Sequence, residues 1–292
     1  MSLLGNLLND PPPAAAFEVS ERGVAFARTS APQEVKFHPL PAGAIQVSPL
    51  HDNVQQPEAL ASAVAQMMPA QPGRKRRAAL ILPDFTARFA VLDFDALPDN
   101  AEEQRALIRF RVKKSVPFDL ESAVMSYHAQ PRNAGRKVDV VVAVIAREVV
   151  SHYEDALRSG GFHAGQVVTS SIAALNLLSP AGITVFAKLS GRSLSVIVLD
   201  GPALKLARCV ELEDSTSPEI MSVLHPTMVF VEDELGSRAA RIVTCGFPAD
   251  QQDLAPEWIR EWGVTIEPLR SRLGELGPNT AGLLGYMESL AA

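Results

Sequence analysis

Two separate stretches of this chain, residues 14–40 and 183–210, carry the same pattern of three short extended runs broken by tight turns. In the first, Phe17 to Ser20 and Val24 to Arg28 flank Glu21-Arg22-Gly23, and Glu34 to Leu40 follows before a proline-rich bend. In the second, Ile183 to Val210 breaks at Ser190-Gly191 and at Asp200-Gly201-Pro202. A three-stranded meander has an apolar face that only another layer can cover. Each repeat is therefore expected to lie under helices, and the repetition predicts a mixed α/β protein of two related lobes.

The rest of the chain supplies those helices. Pro57 to Met68 has proline in its first turn and Leu60, Val64 and Met67 at i, i+4, i+7, the spacing of an amphipathic helix. Residues 78–82 and 88–94 read as strands. Asp99 and Asn100 then offer an N-cap, Glu102 and Glu103 first-turn carboxylates, and the helix runs to about Lys114 before Pro117. Two strands, 123–130 and 137–145, are joined by a turn at 131–136, and a helix from Arg147 to Ser159 closes at Gly160-Gly161. A strand at 165–169 and a short helix at 171–178 precede the second meander. The final third reads as helices at 219–235, 253–262 and 279–290, with strands at 241–244 and 264–266. At the start, Leu3, Leu4, Leu7 and Leu8 have helical spacing before Pro11-Pro12-Pro13, which fits either a short docking helix or a loose tail.

Composition narrows the function classes. With 47% hydrophobic residues in 292 the chain can bury a large core, and its net charge of -6 gives no general attraction to nucleic acid, which is excluded as a main partner. No apolar run approaches the roughly 20 residues of a membrane-spanning helix, and the start lacks the basic region of a signal peptide. The two cysteines, Cys209 and Cys245, suit neither a disulfide framework nor a closed zinc site, so a reducing, cytoplasmic setting is expected. The six histidines are scattered, and no GxSxG, GxxxxGK or HExxH occurs, so neither a catalytic residue nor a metal site is expected. Ser170-Ser171 reads as an N-cap, Asp93 and Asp95 as a solvated strand edge, and Trp258 and Trp262 as core anchors. Arg105, Arg109 and Lys113 line one helix face at i, i+4, i+8, and Arg74-Lys-Arg-Arg77 forms a basic turn. That face fits an acidic partner segment, anionic lipid heads, or simple solvation balanced by Glu102 and Glu103.

The order of elements, together with Ile81-Leu-Pro-Asp84, Glu102-Glu-Gln104, Ile108-Arg-Phe110, Val116-Pro-Phe118 and Ser126-Tyr127, resembles the PilM family of type IV pilus assembly proteins over most of the chain. The resemblance implies an actin-like (ribonuclease H-like) two-lobed fold, similar also to the division protein FtsA. It has an inserted small α/β subdomain (SHS2-like) and a reduced second-lobe subdomain, since only 211–240 is available for the latter. The implied division is a tail at 1–13, a first lobe at 14–76, the insert at 77–163 and a shortened second lobe at 164–292.

In that family two strand-turn-strand loops hold the phosphates of a nucleotide. Here the usual Asp-Ile-Gly becomes Glu18-Val19-Ser20 in the first loop, with Ala25 where lysine is common. It becomes Lys188-Leu189-Ser190 in the second, beside Gly191, with Leu194 near the usual threonine. The glycine-rich adenosine loop is reduced to Gly246 before Phe247 and Pro248. The resemblance thus implies a degenerate, non-hydrolysing protein without a cofactor. It would bind the N-terminal tail of a PilN-like bitopic membrane protein, and other pilus assembly proteins, at the inner membrane. The tail's groove is expected near Leu82, Phe85, Arg105 and Arg109. Two alternatives stay open: an active ATPase that binds ATP with Mg through Glu18 and Lys188, and a cytoplasmic component of type II secretion.

Overall fold

The computed structural model describes residues 12–69, 76–130, 137–179, 181–247, 254–277 and 279–291. The first meander forms β1 (Ala15–Ser20), β2 (Gly23–Arg28) and β3 (Ala31–Pro39), followed by α1 (Pro57–Met67) and β4 (Arg76–Leu82). β1 pairs antiparallel with β2 and parallel with β4, so it lies inside the sheet and is buried along its whole length. Its side chains alternate between two faces, with Phe17 and Val19 in one core cluster and Ala16 in another.

Next come β5 (Arg88–Phe94), α2 (Ala101–Val112), β6 (Ala123–Ala129) and β7 (Val138–Ala146), which form a separate three-stranded sheet in the order β5-β7-β6. The Asn100 side chain accepts hydrogen bonds from the amides of Glu102, at 2.8 Å, and Glu103, at 3.2 Å, and so starts α2 where the sequence indicates. The chain then returns to the first lobe through α3 (Arg147–Ser159), β8 (Phe162–Thr169) and the short α4 (Ser170–Ala174). β8 pairs parallel with β4, completing a five-stranded sheet in the order β3-β2-β1-β4-β8.

The second lobe contains β9 (Ile183–Ser190), β10 (Ser193–Asp200), β11 (Ala203–Glu211), α5 (Ser217–Leu235), β12 (Arg241–Cys245), α6 (Leu254–Trp262) and β13 (Thr265–Pro268). Its sheet order is β11-β10-β9-β12-β13, with an antiparallel meander followed by two parallel strands, the same plan as the first. The internal repeat of the sequence is thus a repeat of whole sheets. Between β11 and β12 stands α5, opened by a capping box of Thr216 and Glu219 and closed at Gly236, whose φ of 63° is left-handed. Trp258 of α6 is buried in the same core, and its ring centroid lies 6.1 Å from that of Trp262.

The last helix, α7 (Ala281–Ala291), crosses back to the first lobe. With α4 it covers the Ala16, Ala79 and Ile81 face of the first sheet, while α1 and α3 cover the Phe17, Leu80 and Leu82 face. This membership differs from the division drawn along the sequence. β4 and α3, which fall almost wholly within 77–163, and β8, which straddles its end, belong to the first sheet and its cover, leaving 88–146 as the separate insert sheet. Likewise α4 and α7, within 164–292, pack on the first lobe. Parallel strands pair across long crossovers, so sheet membership does not follow sequence order. Among the described residues no helix is long and apolar enough to cross a membrane. The leucines of the first eight residues, Arg74 and Lys75 of the basic turn, the 131–136 turn and Pro248 lie outside the described residues.

Candidate functional site

The period of two that buries Phe17 and Val19 on one face of β1 sends Glu18 to the other, toward α4 and α7. In β9 the same alternation puts Val185, Ala187 and Leu189 in the second lobe's core and turns Phe186 and Lys188 toward the first lobe. The third member is Asp84, in the 3-10 turn Asp84–Thr86 just past the end of β4. These three charged side chains are buried together where the lobes meet.

Lys188 Nζ donates to Asp84 Oδ2 at 2.9 Å, with side-chain exposures of 2% and 4%. Asp84 also accepts from the Ser171 amide at 2.6 Å and the Ser171 hydroxyl at 2.7 Å. Glu18 accepts from the Ser170 hydroxyl and, at 2.7 Å, from the Leu283 amide in α7. Every carboxylate oxygen of the pair therefore has a protein donor, and Lys188 supplies the counter-charge. The serines expected to cap a helix do other work: they open α4, and their hydroxyls serve the two carboxylates. Thr169 holds the N-cap position without a side-chain cap bond.

Burial of this depth penalises charge. Desolvation pushes the Glu18 carboxyl above its ordinary value, against the opposing effects of Lys188 and of the bonds from Ser170 and Leu283. For Lys188 burial acts downward, but Asp84 and Glu18 outweigh it and hold the ammonium above its usual range. A carboxyl whose pKa is raised by folding adds stability below its unfolded value of 4.5, and this is lost as pH rises through the folded value. Wild type should therefore lose stability relative to Glu18→Gln as pH climbs from 4.5 toward neutrality, measured as the difference in melting temperature. A constant difference over that range would mean that Glu18 titrates alike in the folded and unfolded chains.

The two hairpin tips meet above this cluster. Gly191, at φ 59°, comes so close to the first loop that a Cβ there would lie 2.9 Å from Glu21 Oε2. The Ser20 hydroxyl donates to the Gly23 carbonyl at 2.9 Å and accepts from the Gly23 amide at 3.2 Å, closing its own turn. The space between the tips, lined by Glu18, Ser20, Glu21, Lys188, Ser190 and Gly191 among others, is about 50 Å³. That admits a few waters, against the roughly 300 to 1,000 Å³ of sites for drug-sized ligands. Gly246 lies elsewhere, with φ 78° and its Cα pressed on β9 so that a Cβ would stand 2.1 Å from the Leu189 carbonyl oxygen. Phe247 packs edge-on to Trp258, at 5.8 Å between centroids, and so belongs to the second core.

The four residues expected to line a tail groove do not converge. Leu82 is fully buried in the first core. Phe85 is half-buried under the Arg88 guanidinium, 4.8 Å from its ring centroid, in a turn packed on β10 and β11. Arg105 is exposed on α2, and Arg109 pairs with Glu121 at 2.7 Å. α2 covers the insert-sheet face carrying Ala90, Leu92 and Phe94, whereas Phe89 and Val91 face the second lobe. The insert is fastened there by Gln130, whose side-chain amide donates to the Leu204 carbonyl at 2.7 Å and accepts from the Leu204 amide at 2.6 Å. Nearness in sequence misled: Leu82 and Phe85, three residues apart, lie on either side of a strand end.

No protein-family model and no curated protein sequence matches the chain. Solved structures do. The chain is similar to a structure of the PilM-PilN type IV pilus biogenesis complex, with TM-score 0.70 and 19% identity over 94% of this chain and 97% of that one. It is similar to the cytoplasmic domain of EpsL, an inner membrane component of the type II secretion system of Vibrio cholerae, with TM-score 0.55 and 14% identity over 95% and 94%. A Bacteroides thetaiotaomicron protein of actin-like ATPase fold and unknown function gives TM-score 0.51 and 12% identity over 92% and 94%. The chain therefore has the actin-like fold, two lobes of repeated plan with a small α/β insert.

Proposed function

We propose that this chain is a non-hydrolysing actin-like scaffold of type IV pilus assembly, acting by holding partner proteins. The observation that carries the reading is the buried Asp84–Lys188 ion pair joining the lobes between the two hairpin loops. A Mg-bound triphosphate needs free amides, carboxylates open to the metal's waters, and several hundred Å³ of room. Here the Gly23 amide is taken by Ser20, the carboxylate oxygens by protein donors, and the space is about 50 Å³. The residues present do not suit that group, and no chemical step is assigned to them.

The similarity at TM-score 0.70 to a structure of the PilM-PilN complex supports a partner of the same kind, the N-terminal tail of a PilN-like bitopic membrane protein. Such a partner would keep the chain on the cytoplasmic side of the inner membrane, among other pilus assembly proteins. Service in a type II secretion system is the second reading, supported by the likeness to the EpsL domain at 0.55. Calorimetric titration tests the proposal directly. Mg-ATP at millimolar concentration should give no binding heat, and a PilN-like tail peptide should saturate with the same affinity with or without nucleotide. Peptide binding that requires ATP would overturn the reading that no nucleotide is held, and absence of peptide binding would remove the partner.

A further inference from the structure

The C-terminal end of α2 presents a surface that nothing in the fold uses. Ile108 and Val112 turn into the insert core, so Phe110, between them in sequence, points the opposite way and is 75% exposed, well beyond the other exposed large hydrophobics among the described residues. Lys113 and Lys114 follow in the 3-10 turn Lys113–Ser115 that continues α2, about one turn beyond Phe110. Among the described residues neither lysine meets a carboxylate, nor does Arg105. Arg109 and Arg111, its neighbours in sequence, are engaged by Glu121 at 2.7 Å and Asp93 at 3.6 Å, and Arg111 also lies over the Phe94 ring. The acids of the same helix, Glu102 and Glu103, sit seven and eight residues earlier, about 10–12 Å away along the axis. On a chain of net charge -6 this is a local basic surface with an aromatic ring at its apex.

We propose that this end of α2 rests on an anionic phospholipid surface, in direct contact with the membrane and independent of any protein partner. An aromatic ring held outward among lysines suits the headgroup layer, where the ring enters the acyl boundary while ammonium groups stay with phosphates. An acidic protein segment would match the charges, but it would leave a ring that stands 75% exposed without the apolar layer it suits. Each basic residue near an anionic surface is worth roughly a five-fold factor, so two or three lysines and one ring give weak attachment. Such a contact orients a molecule that another tether already keeps near the membrane.

The test is sedimentation of the full chain with phosphatidylcholine vesicles made with and without phosphatidylglycerol. Wild type should bind the anionic vesicles preferentially, less so as salt rises. Lys113→Glu/Lys114→Glu should reduce binding by at least about 25-fold and Phe110→Ser by about tenfold. All three positions are exposed, so melting temperatures should stay at the wild-type value and separate lost docking from lost folding. Equal binding to both vesicle types, or anionic binding untouched by the lysine reversal, would overturn the proposal. So would variants that keep vesicle binding but lose capture of a polyglutamate peptide, which would assign the surface to an acidic protein segment.

Discussion

Replacing Asp84 by alanine should lower the melting temperature by about 10 °C, because it strands the Lys188 ammonium in a junction where it is 2% exposed. Breaking a buried pair from one side typically costs about 3–5 kcal/mol, most of it the desolvation of the charge left behind. Glu18 stands nearby and would lessen that penalty by ionising more fully. The Ser171 hydroxyl and amide would lose their acceptor as well. Joint removal of both charges, Asp84→Ala with Lys188→Met, should recover a good part of the loss, since replacing both members of a buried ion pair by apolar residues is often neutral. The double-mutant cycle read by thermal melting thus separates an ion pair from two independent polar residues. Additive single effects would mean that Lys188 does not depend on Asp84.

Much of this was legible before any coordinates. The paired meanders predict two sheets of one plan, and the Pro57 and Asn100 starts mark a helix of the first lobe and the helix of the insert, because turn chemistry and capping are written within a few residues. The nucleotide-loop positions Glu18, Ser20, Lys188, Ser190 and Gly191 do come together around one small space. What failed was long-range. Lys188 was readable as a reversed charge, but its partner Asp84, 104 residues earlier, was only a landmark in Leu-Pro-Asp. A usable signal existed: a charged residue directly past the carboxyl end of a wholly apolar strand is where α/β proteins place site residues. Ser170 and Ser171 satisfied a local rule for caps, and the junction overrode it. Leu82 and Arg105 failed as a shared groove because strand parity and helix facing decide which surface a residue reaches.

Substituting leucine for Gly285 should detach α7 from the first lobe. Even a Cβ at Gly285 would lie 2.2 Å from the Ala173 carbonyl oxygen, and at Gly282 it would lie 2.8 Å from the Ser170 Cα. At Gly285 α7 thus rides on the backbone of α4 itself, and no flexible side chain is there to yield. A whole leucine must push the helix outward, at a cost of about 3 kcal/mol or more. The shift carries the Leu283 amide away from Glu18, leaving that carboxyl deeper in the neutral form. Hydrogen exchange is the informative measurement: protection of Leu283 and its neighbours should fall at least about 100-fold while α5 keeps its protection. Unchanged protection across α7 would show that the two helices can separate without loss.

The crossing of α7 also sets an order on how the molecule can be made. Leu283 and Glu18 are 265 residues apart, so a ribosome that has released β1 must still translate almost the entire remainder before the first sheet gains its last cover. From Thr169, where β8 ends, to Leu283 is 114 residues, on the order of ten seconds of synthesis at ordinary rates. During that interval the face waiting for α7 is bare. Apart from Ile81 it is built largely of Ala16, Ala25, Ala27 and Ala79. Such small side chains offer little apolar area for another nascent chain or a chaperone to seize, so the face that must wait longest is among the least adhesive this protein could present.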